Sequence, residues 1–126
     1  MTACSTTSVW VNSMSLSRLL GKSVTVIVDR PLGTKHPHHK DIIYPINYGY
    51  IENLFAGDGE EQDAYILGID KKVDIFRGTV IAIIHRLDDV EDKLVVAPNN
   101  KRFTSKEIME DVHFQEKYFE TEIIKN

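Results

Sequence analysis

Residues 48–68 read YGYIENLFAGDGEEQDAYILG. Two runs rich in tyrosine and aliphatic residues, 48–54 and 63–68, flank a segment of glycines and acids. Such runs read as short strands, and the segment between them as the connecting turn. This pair decides the class of fold, because further strands precede and follow it at short spacing. SVTVIVD (23–29) alternates and is β-branched, which predicts a strand, whereas RPLGTKHPHHK (30–40), with its prolines and histidines, predicts a loop. GTVIAIIHRL (78–87) is a long apolar strand, and DKLVVAP (92–98) follows it after the acidic turn DDVE. Strands in such close succession indicate a small antiparallel barrel or a strongly curled sheet.

The period then changes. Thr104 followed by Glu107 is a capping-box signature, and Ile108, Met109 and Val112 fall on one helical face. HFQEKYFETEI (113–123) continues helix-like, with Phe114 and Tyr118 one turn apart. The expected order is a barrel first and one or two helices last.

At 126 residues without an internal repeat, the chain is expected to form one domain around a single core. It is 42% apolar and 27% charged, an ordinary globular balance with no window long enough to span a bilayer. A net charge of −4 argues against a nucleic-acid partner, which wants a basic face, and suits a soluble cytoplasmic protein. A single cysteine, Cys4, excludes an internal disulfide framework. Residues 1–18 read as a flexible tail ahead of a domain at 19–126, with Met14 an alternative start. They lack the basic start and continuous apolar run of a secretory signal.

GDGEEQD places Asp58, Glu60 and Asp63 within six positions between two strands. In extended chain Asp58 and Glu60 share a side, and the turn into the next strand can bring Asp63 back toward them. Carboxylates crowded on one spot repel and raise one another's pKa, a cost that a divalent cation removes. Oxygen ligands suit Mg²⁺ or Mn²⁺, and the spacing does not match a twelve-residue calcium loop. Taken alone, the string is more often a solvated hairpin tip. A second acidic turn, Asp88, Asp89, Glu91 and Asp92, runs into Lys93 and alters that balance. A lysine among acids makes sense where an anion is also bound, which points to a phosphate ester or anhydride held by metal ions.

YPINYGYIENLFAGDGEEQDAYILG (44–68), GTVIAIIHRLDDVEDKLVVAP (78–98) and HFQEKYFE (113–120) resemble the soluble, magnesium-dependent family I inorganic pyrophosphatases. The likeness runs from about Val24 to Glu120. It implies an α+β, mainly β fold: a small OB-like antiparallel barrel with one or two C-terminal helices. It implies Mg²⁺, with Mn²⁺ a substitute, hydrolysis of pyrophosphate to two phosphates, a cytoplasmic homo-oligomer, and neither nucleic-acid nor membrane partner. By position, the metal-binding acids match Asp58, Glu60 and Asp63, then Asp88 and either Glu91 or Asp92. Glu60 falls where the family has its candidate general base, an aspartate. Lys93, Tyr44, Tyr48 and Tyr118 match phosphate-site residues, with Lys93 and Tyr48 placed alongside Glu60 in the catalytic set. Asp29 matches the acid ending the first strand.

Three departures stand out. The chain is short, and the loop LGTKHPHHK replaces a hairpin that normally carries site residues, so Lys35 or His36 stands in for an arginine. Phe119 occupies a position that is normally a phosphate-binding lysine. These departures keep two other readings in view: hydrolysis of another small phosphoanhydride or phosphate ester, and a phosphate- or nucleotide-binding barrel that has lost catalysis. Tyr50 and Tyr65 are expected to pack the barrel, and Asn47 and Gly49 to permit a bulge. His36, His38 and His39 are expected in a solvated loop, His85 and His113 in structural roles, and Lys71, Lys72, Lys101 and Arg102 on the surface.

Overall fold

The computed structural model describes residues 16–56, 59–89 and 91–125. Among the described residues six strands follow one another: β1 (Ser23–Arg30), β2 (Asn47–Phe55), β3 (Glu61–Ile66), β4 (Ile75–Arg86), β5 (Asp92–Ala97) and, after helix α1 (Ser105–Glu116), β6 (Thr121–Lys125). The order β1-β2-β3-β5-β4 closes through an additional β1–β4 pairing into a barrel of five strands. The sheet is mixed, since β3 and β5 run parallel while every other pair is antiparallel. One parallel pair follows from the connection: β4 intervenes in sequence and lies on the far side of β5.

The twelve-residue β4 makes closure possible. One edge pairs with β5; along the other, Ile75–Thr79 pairs with β1 and Ala82–Arg86 with β6. The C-terminal stretch therefore departs from the helical expectation. Thr121–Lys125 is extended because Ile123 and Ile124 lie beside Ile84 and Ile83 of β4, a non-local pairing that helical periodicity cannot register. The helix begins as anticipated, with Thr104 and Glu107 forming both halves of a capping box.

Two apolar layers result. Val26, Val28, Ile51, Ala64, Ile66, Val80, Ile83, Leu94 and Val96 form the barrel interior, with Leu16 packed among them. On the opposite face of the same strands, Tyr48, Tyr65, Leu67, Ala82, Ile84, Val95 and Ala97 pack under Ile108 and Val112 of α1. Strand β5 is buried at all six positions because it has the interior on one face and the helix on the other. Tyr65 is fully buried, yet it belongs to the helix layer rather than the interior, and Tyr50 is only partly covered.

Gly49 and Asn47 act differently from the expected bulge formers. A Cβ on Gly49 would stand 1.9 Å from the Ile27 carbonyl oxygen and 2.8 Å from Val28 Cα, so the glycine is what lets β1 lie against β2. Asn47 pins two loops: its Oδ1 accepts from the Leu32 and Val73 amides at 2.9 and 3.4 Å, and its Nδ2 donates to the Lys71 carbonyl at 2.9 Å. The bulge lies across the ladder, where Asp29 is the extra residue between the pairs Val28–Gly49 and Arg30–Tyr48.

Because the obstruction at Gly49 is backbone, Gly49→Ala should lower folding stability by about 1–3 kcal/mol or more. Denaturant unfolding of the two proteins measures this, and equal midpoints would contradict the packing argument.

Candidate active site

Period-two alternation and the strand register together fix which polar side chains meet. Asp63 and Lys93 alternate with the interior residues Ala64 and Leu94, so both stand on the outer, helix-side face of adjacent parallel strands. Lys93 is 4% exposed; its Nζ donates to Asp63 Oδ2 at 2.8 Å, Glu91 Oε2 at 3.1 Å and the Tyr48 hydroxyl at 2.9 Å. Tyr48 in turn donates to Asp63 Oδ2 at 2.5 Å. Burial, followed by the charge of Asp63, pushes the Tyr48 phenol well above its usual range, so it remains a proton donor.

Two clefts, each of about 360 Å³, meet at this cluster and share Arg30, Asp63, Glu91 and Lys93. One is an acid wall that adds Asp29, Glu60, Glu61 and Asp92. The other is a cationic and aromatic wall that adds Arg86, His36, His38, His39, Tyr118 and Phe119. The β1 bulge supplies both faces, since Asp29 lines the first cleft and Arg30 lines both. Partial burial raises the Asp29 carboxyl pKa; Arg30 opposes that shift and Asp63 reinforces it.

The sequence-expected residues divide accordingly. Glu60, Asp63, Glu91, Lys93, Tyr48, His36 and Tyr118 line the clefts. Asp58 lies outside the described residues. Asp63 is the third residue of β3 rather than its opening one. Asp92 borders the acid wall, but its carboxylate is spent on His85 Nδ1 at 2.9 Å, because alternation turns it away from Glu91 and Lys93. Asp88 is exposed and accepts from the Glu120 amide at 3.2 Å, outside both clefts; the turn after β4 directs it toward β6. Exposed Lys35 likewise lines neither cleft, its backbone being paired with Ile43.

Tyr44 is completely covered and lies behind the site. Its hydroxyl accepts from Arg30 Nη1 at 2.7 Å and donates to Gln115 Oε1 at 3.0 Å, so it positions Arg30 instead of facing the cleft. The histidine loop is built into the wall: His36 stacks on Tyr44 at 5.9 Å and 6°, and His39 on Tyr118 at 6.4 Å and 21°. Arg86, within a run whose sequence reads as an apolar strand, also lines the cationic wall. The run of apolar residues before it gave no sign that the strand ends beside Lys93.

The acid wall is an oxygen-donor set. Asp63 and Glu91 converge on one cation, the Lys93 ammonium, which shows that acids from β3 and from the β4–β5 turn reach a common point. That chemistry fits a hard divalent ion better than zinc. Among the described residues no group of three acids or histidines is already gathered at metal-binding distance.

No protein-family model and no curated protein matches the chain. Solved structures do. The crystal structure of inorganic pyrophosphatase from Ehrlichia chaffeensis superposes with a TM-score of 0.62 at 18% identity, covering 82% of this chain and 85% of that one. An inorganic pyrophosphatase of Coxiella burnetii gives 0.59 at 16%, covering 84% and 86%. The inorganic pyrophosphatase of Helicobacter pylori gives 0.56 at 16%, covering 82% of each. The fold is that of these proteins.

The His36 pKa is held below its usual range, first by partial burial and then by the positive Arg30, His39 and His38. The unfolded chain therefore binds this proton more readily, and stability should fall as pH drops from about 7 to about 5. His36→Phe keeps the stack on Tyr44 and should flatten part of that fall. An unchanged slope in denaturation midpoints against pH would contradict it.

Proposed function

We propose that the chain hydrolyses inorganic pyrophosphate to two phosphates with Mg²⁺ as the required metal. The observation that carries this reading is the pairing of an acid wall with a cationic wall around Asp63, Lys93 and Tyr48. The pyrophosphatase fold of the chain adds to it. An anhydride between two phosphates needs both kinds of wall, one to hold divalent cations and one to neutralise phosphate oxygens.

Asp63, Glu91 and Glu60 would hold the metal ions, with Asp58 beside them in sequence. Bound there, divalent ions would lower the pKa of an attacking water and screen the phosphate charge. The chain's own groups do the rest. Lys93 and Arg30 face both clefts and offset charge on phosphate oxygens. Tyr48, kept protonated, orients Asp63 and Lys93 toward each other. Glu60, in the exposed turn before β3, accepts the proton of the water whose oxygen attacks phosphorus as the bridging P–O bond breaks. The exposed apolar side chains Phe55, Ile75 and Leu87 offer surface for a homo-oligomer to cover. No helix among the described residues is long and apolar enough to cross a membrane.

A second reading draws on the aromatic wall. His36, His39, Tyr118 and Phe119 stand where a phosphoanhydride or phosphate ester carrying an organic group could stack.

With Mg²⁺, the purified protein should release phosphate from pyrophosphate; chelation should stop release and added Mg²⁺ should restore it. The double variant Glu60→Gln, Asp63→Asn sets the background, and release no higher than that background refutes the proposal. Lys93→Met should cost about 10²-fold in kcat/KM and Tyr48→Phe about tenfold. Faster turnover of an organic phosphoanhydride in the same assay would favour the second reading.

A further inference from the structure

Arg86 ends β4 and lines the cationic cleft, but not the acid cleft. It is 5% exposed, and its guanidinium is fixed on three sides. Nε and Nη2 donate to the two oxygens of Glu116 at 3.0 and 2.7 Å. Glu116 is itself buried and also accepts from Tyr65 at 2.6 Å, so the clamp is anchored under helix α1. The guanidinium carbon stands 3.7 Å from the centroid of the Phe119 ring. Burial opposes this charge, but Glu116 outweighs it and raises the guanidinium pKa further, so the charge is permanent.

A guanidinium has five N–H groups. Two are taken by Glu116, and Nη1 makes a longer bond to Asp89 at 3.3 Å. Among the described residues, one N–H on each terminal nitrogen has no hydrogen-bond partner. A pair serving stability alone gains little over apolar packing, since removing two charges from water is costly. Placing its open edge on a cleft with Lys93 and Arg30 has a different use. Stacking on Phe119 occupies the planar face and leaves the edge to bind.

We infer that Arg86 is a further anion-binding residue of the cationic cleft, with Glu116 and Phe119 positioning its guanidinium for the phosphate group farther from the acid wall. This rests on reading that cleft as a phosphate site. It also gives Phe119 a role: the aromatic residue does not leave this wall neutral, because it carries a cation supplied by β4.

The test uses the full chain with Mg²⁺ and measures inorganic phosphate binding by calorimetry, KM and kcat for pyrophosphate, and melting temperature. Phe119→Leu leaves the Arg86–Glu116 pair intact; it should weaken phosphate binding and raise KM about three- to tenfold, with kcat within about twofold. Arg86→Lys keeps the charge but loses the fork and the stack, and should weaken phosphate binding more than tenfold. Phe119→Tyr should restore binding to near the wild-type level. Wild-type phosphate affinity in either folded variant overturns the inference, including the case in which only the melting temperature moves. If Arg86→Lys does not fold, Phe119→Leu decides alone. Phosphate binding that weakens in the variants, in a wild-type protein that does not cleave pyrophosphate, upholds Arg86 and overturns the proposed reaction instead. A wild-type protein that binds no phosphate overturns the inference.

Discussion

A lysine ammonium placed on a strand buried on both faces must be paired, because an isolated charge there would be expelled or neutralised. Lys93 meets that demand with Asp63 on the neighbouring parallel strand, Glu91 two residues back and Tyr48 on β2. The register of β3 against β5, Ala64 beside Leu94, sets the acid and the base side by side. One charge thus ties three parts of the barrel together at the point where both clefts open. Any slip of one residue between β3 and β5 would turn Asp63 or Lys93 to the interior and leave the other unpaired.

The support for this point comes from the last turn of α1. Gln115 and Glu116 are consecutive, and the Tyr65 hydroxyl joins their hydrogen bonds into one network. Gln115 accepts from Tyr44, which holds Arg30, and donates to Tyr65 at 2.8 Å. Glu116 accepts from Tyr65 and holds Arg86. Both cations of the cleft other than Lys93 are therefore positioned from the same helix end. This explains why the helix must stop at Glu116: the chain has to turn there to bring Phe119 onto Arg86 and β6 onto β4.

Much of the fold was legible because its cues are local. Alternation located β1 and apolar runs located β4 and β5, each to within a few residues, and the Thr104–Glu107 box located the helix start. β6 was not legible, since its isoleucines are extended only because β4 has a free edge beyond β1. At the candidate site, alternation places Glu91 with Lys93 and turns Asp92 away, a distinction already present in the order of the residues. Asp29 and Arg30 reach the clefts by a different route, through a bulge that adds one residue opposite Gly49.

Spacing along a single chain fixes which residues share a strand face and that acids cluster at two turns, because neither depends on distant partners. It could not determine which of those acids meet. Asp88 serves Glu120, Tyr44 retreats behind Arg30, and Arg86 moves from an apolar strand to the wall of a cleft. Those outcomes depend on strand partners distant in sequence, on bulges that shift register, and on where a helix end is packed. Convergence of charges is a property of the closed barrel, and only the tertiary structure decided it.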